Sequence, residues 1–322
     1  MILKKTFCLL FLIALMTKVG FGQKVSLTET PTGFEFSLRN EIVLTYQSTK
    51  KPVPEGVNEA FSKSGFIHPL KSPSGQILTR IQPQDHYHHY GIWGPYTRAT
   101  ISGREVDFWN LGDEKGRVDF GYLISKKQAG GAAELNVRQN HIDLKAPDSE
   151  QIAIKEDLRI KVKPSDQGRY MVDYTSTIFT DLEDGILLDD YRYGGGIGFR
   201  ATEAWGTNNS SILTSEGDTR KTADGKNAKW VMVTGETADK SGTSGILFLS
   251  HNTNKSHPEP MRIWPEDNYD GIGNVFIEFC PIRHESWQIL PNQRYTLKYR
   301  MIVFDGTMSP EEAETYWENF VK

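Results

Sequence analysis

Alternation of apolar and polar residues is the feature of this chain that most constrains its fold. Within residues 152–162, apolar side chains occupy positions 152, 154, 158, 160 and 162, and charged ones the odd positions from 155 to 161. Residues 169–181 alternate in the same way, and the intervening segment 164–168 (Pro-Ser-Asp-Gln-Gly) has the composition of a tight turn. A period of two residues places successive side chains on opposite faces of a strand. The pattern therefore predicts a long antiparallel hairpin with one buried face.

Similar patterns recur along the chain. They predict strands at 24–30, 34–47, 117–127, 132–146, 185–200, 229–235, 244–250, 273–280 and 294–304. Many of these segments exceed the usual five or six residues of a strand. Long antiparallel strands with one solvent-exposed face indicate an all-β fold, a large sandwich of two packed sheets.

A single helix is predicted, at the C-terminus. Ser309 is a suitable N-cap, Pro310 takes the first helical position, and Glu312 completes a capping box. Apolar residues then recur at helical spacing at positions 313, 316, 317 and 320. We expect this stripe to pack against the sandwich.

The N-terminus has the pattern of a cleavable signal peptide over residues 1–22. Lys4 and Lys5 precede an apolar run at 7–16 that is too short to span a bilayer. We expect a mature chain of residues 23–322 forming one β-sandwich domain without a membrane span, located in the periplasm or secreted.

Charge and cysteine content limit the possible partners and cross-links of this mature chain. Removal of the three lysines of residues 1–22 would move the formal charge from −4 to −7, which disfavours nucleic acid as a partner. Cys280 would be the single remaining cysteine, so no internal disulfide is expected.

Three of the eight histidines fall within four residues. The segment 85–93 reads Asp-His-Tyr-His-His-Tyr-Gly-Ile-Trp. If the segment is extended, His86 and His88 point to one face, and Asp85 and His89 to the other. A His-x-His pair can bind Zn²⁺ or Cu²⁺ with a third ligand from elsewhere, such as His68, His251, His284 or an acid. Alternatively, one imidazole acts as a general base or acid and Asp85 fixes its tautomer, or the histidines have a structural role only.

This segment also carries a resemblance to a known group of proteins. Gly-Phe-Ile-His-Pro-Leu at 65–70, Ser-Pro-Ser-Gly at 72–75 and the histidine motif resemble an exported, poorly characterised bacterial family that is sometimes labelled methane-oxygenase-like. That label does not suit a chain with no long apolar span after residue 22. The resemblance implies an association with polysaccharide-utilisation genes, and a sandwich similar to those of mutarotase-like and sugar-lyase proteins.

The remaining candidates are polar or aromatic residues at predicted strand ends and beside glycines. Arg192 could bind a carboxylate or sulfate, a neighbouring tyrosine could transfer a proton, and the aromatic ring of Trp93 could support a sugar. The predicted catalytic residues are Asp85, His86, His88, His89, His68 and Tyr191, and the predicted substrate-binding residues are Trp93, Arg192, Glu203, His251, Arg262 and Trp264.

These observations predict an exported carbohydrate-active enzyme that acts on acidic oligosaccharides bearing uronate or sulfate. We expect a lyase or dehydratase in which a histidine or tyrosine removes a proton beside a carboxylate, and Arg192 or Arg262 offsets the charge that develops. Glycoside hydrolysis and non-catalytic glycan binding are the alternatives. The sequence does not decide whether a divalent metal takes part; His86 and His88 would be its ligands.

Overall fold

The computed structural model describes residues 24–267 and 271–322, so the predicted signal peptide lies outside the described residues. Within these ranges the regular secondary structure is mostly β-strand, with one α-helix. The first strands are β1 (Val25–Thr30), β2 (Gly33–Leu38), β3 (Glu41–Gln47), β4 (Phe66–Leu70), β5 (Ile92–Trp93), β6 (Ala99–Ile101), β7 (Arg104–Val106), β8 (Gly116–Ala129), β9 (Ala132–Asp143), β10 (Gln151–Pro164) and β11 (Tyr170–Phe179). They are followed by β12 (Ile186–Leu188), β13 (Ile197–Arg200), β14 (Ser210–Thr214), β15 (Asn227–Ala228), β16 (Trp230–Glu236), β17 (Thr243–Ser250), β18 (Glu259–Ile263), β19 (Phe276–Phe279), β20 (Trp287–Ile289), β21 (Tyr295–Asp305) and helix α1 (Pro310–Val321).

The strands form two large antiparallel sheets and one small one. The nine-stranded sheet has the order β1-β2-β3-β4-β5-β13-β19-β18-β15, and the eight-stranded sheet has the order β14-β16-β17-β21-β11-β10-β9-β8. The main apolar core takes side chains from both large sheets. The predicted all-β antiparallel sandwich is therefore confirmed. A third sheet, of order β20-β12-β6-β7, was not predicted, because strands of three residues are too short to show alternation.

Helix α1 forms at the predicted position. The hydroxyl of Ser309 accepts a hydrogen bond from the backbone N–H of Glu312, whose side chain accepts one from the N–H of Ser309, so both halves of the capping box are present. The apolar face of the helix packs on the outer side of β16, β17 and β21. No helix of residues 24–267 and 271–322 is long and apolar enough to cross a membrane.

Two predicted strands are divided in the structure. Segment 34–47 is a hairpin that turns at Arg39 and Asn40, which both have positive φ, and not one strand. Segment 185–200 contains β12 and β13, separated by a loop that reaches the candidate site. Within β10, Ile152 is exposed and not buried as predicted, because a bulge between Ile152 and Ile154 interrupts the pairing with β9 and shifts the alternation.

Candidate active site

The candidate site lies on the outer face of the nine-stranded sheet. Ile92, Phe199 and Ile277 lie side by side on three neighbouring strands and face the main core. Their sequence neighbours Trp93, Arg200 and Phe276 consequently face the opposite side. There a second apolar cluster covers the sheet, formed by Phe66, Tyr90, Trp93, Trp109, Leu111, Trp264 and Phe276. This cluster is the floor on which the histidine segment rests.

Two consecutive turns, and not an extended strand, carry the histidines. The N–H of His86 donates to the carbonyl of Pro83 (2.9 Å), and the N–H of His89 donates to the carbonyl of His86 (3.0 Å). A bridge between Ile81 and Tyr90 closes the loop at its base. The extended geometry considered from the sequence is therefore wrong: the turns bring His86, His88 and His89 to the same side.

Gly91 fixes where this loop leaves the sheet. Its φ is +62°, and a Cβ atom on it would lie 2.2 Å from the carbonyl oxygen of Ile67. No side chain can be accommodated at that distance, and positive φ is unfavourable for residues other than glycine. The close approach at Gly91 is thus to the neighbouring strand β4.

The three imidazoles are in mutual contact. Their ring centroids are separated by 5.3 Å (His86–His88), 4.7 Å (His86–His89) and 4.8 Å (His88–His89). One nitrogen of each ring can be chosen so that the three atoms lie within 4.8 Å of one another. Trp109 packs on His88 and His89, and Trp264 on His86 and His89. The structure therefore brings together all three histidines of the sequence motif.

Asp85 holds the loop onto the sheet through an ion pair. Both of its carboxylate oxygens accept hydrogen bonds from Nη2 of Arg200 (2.9 and 2.6 Å), a residue with no exposed surface. Oδ2 also lies 3.0 Å from Nδ1 of His86. Burial alone would raise the pKa of Asp85, but the hydrogen bond with His86 and the Arg200 guanidinium outweigh it and hold this pKa well below its usual range. Asp85 is thus an ionised positioning residue, predicted from the sequence as a member of the site.

His88 and His89 are neutral at physiological pH. Burial, followed by the charges of His86 and Arg200, lowers the pKa of His88 to about 3. Burial, followed by His88 and Arg200, also holds the pKa of His89 far below its usual value. Because a base works best when its pKa is near the working pH, neither ring is well suited to remove a proton at neutral pH. Both offer imidazole nitrogens in the neutral state.

The loop between β12 and β13 forms the facing wall. It carries Tyr191, Arg192 and Tyr193 and ends in glycines 194–196, all with positive φ. The hydroxyl of Tyr193 accepts a hydrogen bond from Nε1 of Trp264 (3.2 Å), and the Arg262 guanidinium lies 5.1 Å from the centre of its ring. Burial alone would lower the pKa of Arg262. Tyr193 and Asp224, which forms a salt bridge with Arg262 (2.9 Å), outweigh the effect of burial and raise this pKa. A fixed positive charge therefore stands behind Tyr193.

These two loops enclose a cavity of about 180 Å³. Its walls are imidazole, indole and phenol rings, and exposed Arg192 lies at its edge. The lining residues are His86, His88, His89, Trp109, Asn110, Tyr191, Arg192, Tyr193 and Trp264. None of these described lining residues is a carboxylate.

Other residues predicted for the site lie elsewhere. His68 hydrogen-bonds Thr79 (2.9 Å), and burial followed by the charge of Lys51 lowers its pKa to about 4. Glu203 is exposed beside Arg80 (3.7 Å), and His251 packs on Phe320 of helix α1. None of the three is among the described residues that line the cavity. They were grouped by residue type, whereas the fold places His68 within the nine-stranded sheet on β4, Glu203 after β13, and His251 after β17 of the eight-stranded sheet.

Trp93 and Arg262 are close to the cavity but behind its walls. Trp93 is buried under His89 (5.3 Å between ring centroids), because its partner on β13 is Gly198, which leaves room for the indole against the sheet. The sequence suggested that the ring of Trp93 supports a sugar, but a ring buried in this way cannot present a face to one. Trp109 and Trp264 are also largely buried, but they are the tryptophans that line the cavity. Arg262 lies behind Tyr193, with its guanidinium 5.1 Å from the centre of that ring.

Sequence reasoning missed four residues of the cavity and its support: Trp109, Asn110, Arg200 and Tyr193, since Tyr191 was the tyrosine predicted to be catalytic. Asp107 organises the first two, since its carboxylate accepts hydrogen bonds from the backbone N–H groups of both (2.8 Å each). Arg200 carried a usable signal, because an arginine after Ile197-Gly198-Phe199 in an apolar strand must find a charged partner when buried. Nothing in the sequence indicated that the partner is Asp85.

Comparison with solved structures finds similar folds at very low identity. The heparan sulfate lyase HepC from Pedobacter heparinus is 8% identical, with a TM-score of 0.38 over 89% of this chain and 36% of its own. A GalM/aldose epimerase homologue from C. elegans is 9% identical, with a TM-score of 0.37 over 89% and 100%. An α-galactosidase from Lactobacillus brevis is 8% identical, with a TM-score of 0.37 over 87% and 38%. The chain thus spans little more than a third of the lyase and of the galactosidase, and similarities this weak assign no activity.

No curated protein matches the chain. A family model does match it, across residues 34–318, and so includes every residue of the cavity. This match covers far more than half of the sequence. The chain belongs to DUF6807, a family of unknown function.

Proposed function

We propose that this protein is an exported carbohydrate-active enzyme that cleaves acidic, uronate-bearing oligosaccharides by elimination. The observation that carries the proposal is the arrangement of one cavity: neutral imidazoles on one wall, a tyrosine backed by a fixed positive charge on the other, and an arginine at the edge. Aromatic walls with a few placed polar groups are typical of small-molecule sites. At about 180 Å³ the cavity is smaller than the pockets of about 300–1,000 Å³ that hold drug-sized ligands, so it suits a single sugar ring of a longer chain.

Elimination requires a base, a site for negative charge and a donor for the leaving oxygen. The base takes the proton on the carbon next to the carboxylate, and the electron pair forms an enolate. The glycosidic C–O bond on the adjacent carbon then breaks, which leaves a double bond conjugated with the carboxylate and a leaving oxygen that takes up a proton. Arg192, which lies at the edge of the cavity, would bind the carboxylate in this proposal.

Tyr193 is our candidate for the proton transfer. Trp264 donates a hydrogen bond to its oxygen and Arg262 places a positive charge beside its ring, so both neighbours stabilise negative charge that develops there. His86 is the alternative base, because Asp85 lies at Nδ1 and directs the lone pair of the imidazole to Nε2. Hydrolysis by a pair of carboxylates is less well supported, since the described lining of the cavity contains no Asp or Glu.

The test is to supply uronate-bearing oligosaccharides from plants and algae and to follow the ultraviolet absorbance of the unsaturated product. We expect the Tyr193→Phe variant to lose about 100-fold or more in kcat, the usual contribution of a proton-transfer residue. The matched control is Tyr122→Phe, which removes the hydroxyl of an exposed tyrosine on β8 and should retain full activity.

Each alternative gives a different result. New reducing ends without the absorbance would indicate hydrolysis. Binding of the oligosaccharide without any product would indicate a glycan-binding protein. Full activity of Tyr193→Phe together with loss of activity in His86→Ala would transfer the role of base from the tyrosine to the histidine.

A further inference from the structure

The histidine cluster has the composition and spacing of a metal site. Three imidazole nitrogens, one each from His86, His88 and His89, lie within 4.8 Å of one another. Zn²⁺–N bonds of about 2.0–2.1 Å in a tetrahedral site place ligand atoms roughly 3.4 Å apart. Side-chain rotations that move the rings inward by about an ångström would therefore bring all three nitrogens to bonding distance.

A carboxylate already supports one of these rings from behind. Asp85 Oδ2 lies 3.0 Å from Nδ1 of His86, which leaves Nε2 as the nitrogen that would face a metal. Metal-binding histidines almost always donate their second ring N–H to a carboxylate, a carbonyl or water, which fixes the tautomer and strengthens the ligand. The ion pair with buried Arg200 fixes Asp85 in turn. This arrangement is built into the loop and does not depend on a flexible surface group.

We propose that His86, His88 and His89 bind one divalent transition-metal ion at the wall of the cavity that they form. Three imidazole ligands suit Zn²⁺, Co²⁺, Ni²⁺ or Cu²⁺, whereas Ca²⁺ and Mg²⁺ prefer oxygen ligands. The ion would offset the charge of the uronate carboxylate as the enolate forms. Only that role rests on the proposed function; the binding site itself rests on the geometry of the three rings.

The three ligands are not equivalent. Nη1 of Arg200 lies 3.4 Å from Nδ1 of His89 and can only donate a hydrogen bond. This contact favours the tautomer with the proton on Nε2 of His89, so binding a metal at Nε2 requires that proton to move to Nδ1, facing Arg200. We therefore expect His89 to contribute less to metal affinity than His86 and His88.

The experiment uses the protein without a polyhistidine tag, freed of metal by a chelator and then titrated with Zn²⁺ in a calorimeter and with Co²⁺ in a spectrophotometer. We expect one ion per chain and a visible d–d absorption typical of tetrahedral Co²⁺. His88→Ala and His88→Gln should each weaken binding by more than about 100-fold, because loss of a ligand exceeds the 10–100-fold effect of losing a residue that supports one. His89→Ala should have a smaller effect.

The matched control is His284→Ala, which removes an exposed histidine outside the cavity lining and should leave metal binding unchanged. Circular dichroism establishes that each variant is folded. Absence of stoichiometric binding by the wild-type chain would overturn the proposal, as would His88 variants that bind like wild type. Metal binding without an unsaturated product would leave the site standing and refute the elimination, whereas product formation by chelator-treated protein would support the elimination and refute the role we assign to the ion in it.

Discussion

The ion pair between Asp85 and Arg200 offers the sharpest test of how the site is held together. The Asp85→Asn variant keeps the shape of the side chain and removes its charge. The guanidinium of Arg200, which has no exposed surface, would then be buried without a counter-charge, with Arg80 as a second cation near position 85. Removing one partner of a buried pair costs about 3–5 kcal/mol. Because an asparagine oxygen can still accept one hydrogen bond from Arg200, we expect the lower end, about 3 kcal/mol of the free energy of unfolding.

Urea unfolding followed by circular dichroism measures this loss directly. The control is Arg200→Met, which removes the buried charge and leaves Asp85 partly exposed, with Arg80 3.9 Å away. The double variant Asp85→Asn/Arg200→Met should be more stable than Asp85→Asn alone, since it no longer buries an unpaired cation. A loss below about 1 kcal/mol for Asp85→Asn would refute the role we assign to the pair. A double variant whose loss of stability equals the sum of the two single-variant losses would refute it as well.

Two further predictions concern parts of the fold away from the cavity. Glu259 is fully buried, and burial raises its pKa to about 7, although hydrogen bonds from Ser250, Asn254 and Tyr299 oppose this shift. A raised carboxyl pKa favours the fold at low pH, so the stability from this group should fall by about 3 kcal/mol as the pH rises from 4.5 to 7. In urea titrations at pH 4.5 and 8, the stability of Glu259→Gln relative to wild type should therefore rise by that amount, and a pH-independent difference would contradict the assignment. Ser309→Ala should lower the free energy of unfolding by about 1 kcal/mol through loss of the cap of α1, whereas Ser309→Asp should retain it.

Local sequence signals predicted the framework well. Alternation of apolar and polar residues identified the long hairpin of β10 and β11, because a strand with one solvent-exposed face places apolar residues at every second position. The cap of helix α1 could be predicted because Ser309, Pro310 and Glu312 lie within four residues and the capping contacts join Ser309 to Glu312. The short strands β4 to β7 were missed, since two to five residues carry too little periodicity to be recognised.

The sequence alone also determined where the chemistry concentrates, because His86, His88 and His89 are neighbours in any conformation. Tertiary structure decided what surrounds them. Asp85 and Arg200 are 115 residues apart, and their contact exists because β5 pairs with β13 and turns Arg200 towards the histidine loop. The same pairing places Trp93 in the buried layer beneath His89, whereas His251, which follows β17 in the other large sheet, packs on helix α1. The local sequence determines which reactive side chains lie close together along the chain, whereas strand register determines which distant residues they contact. No residue pattern within one strand specifies its neighbour in the sheet.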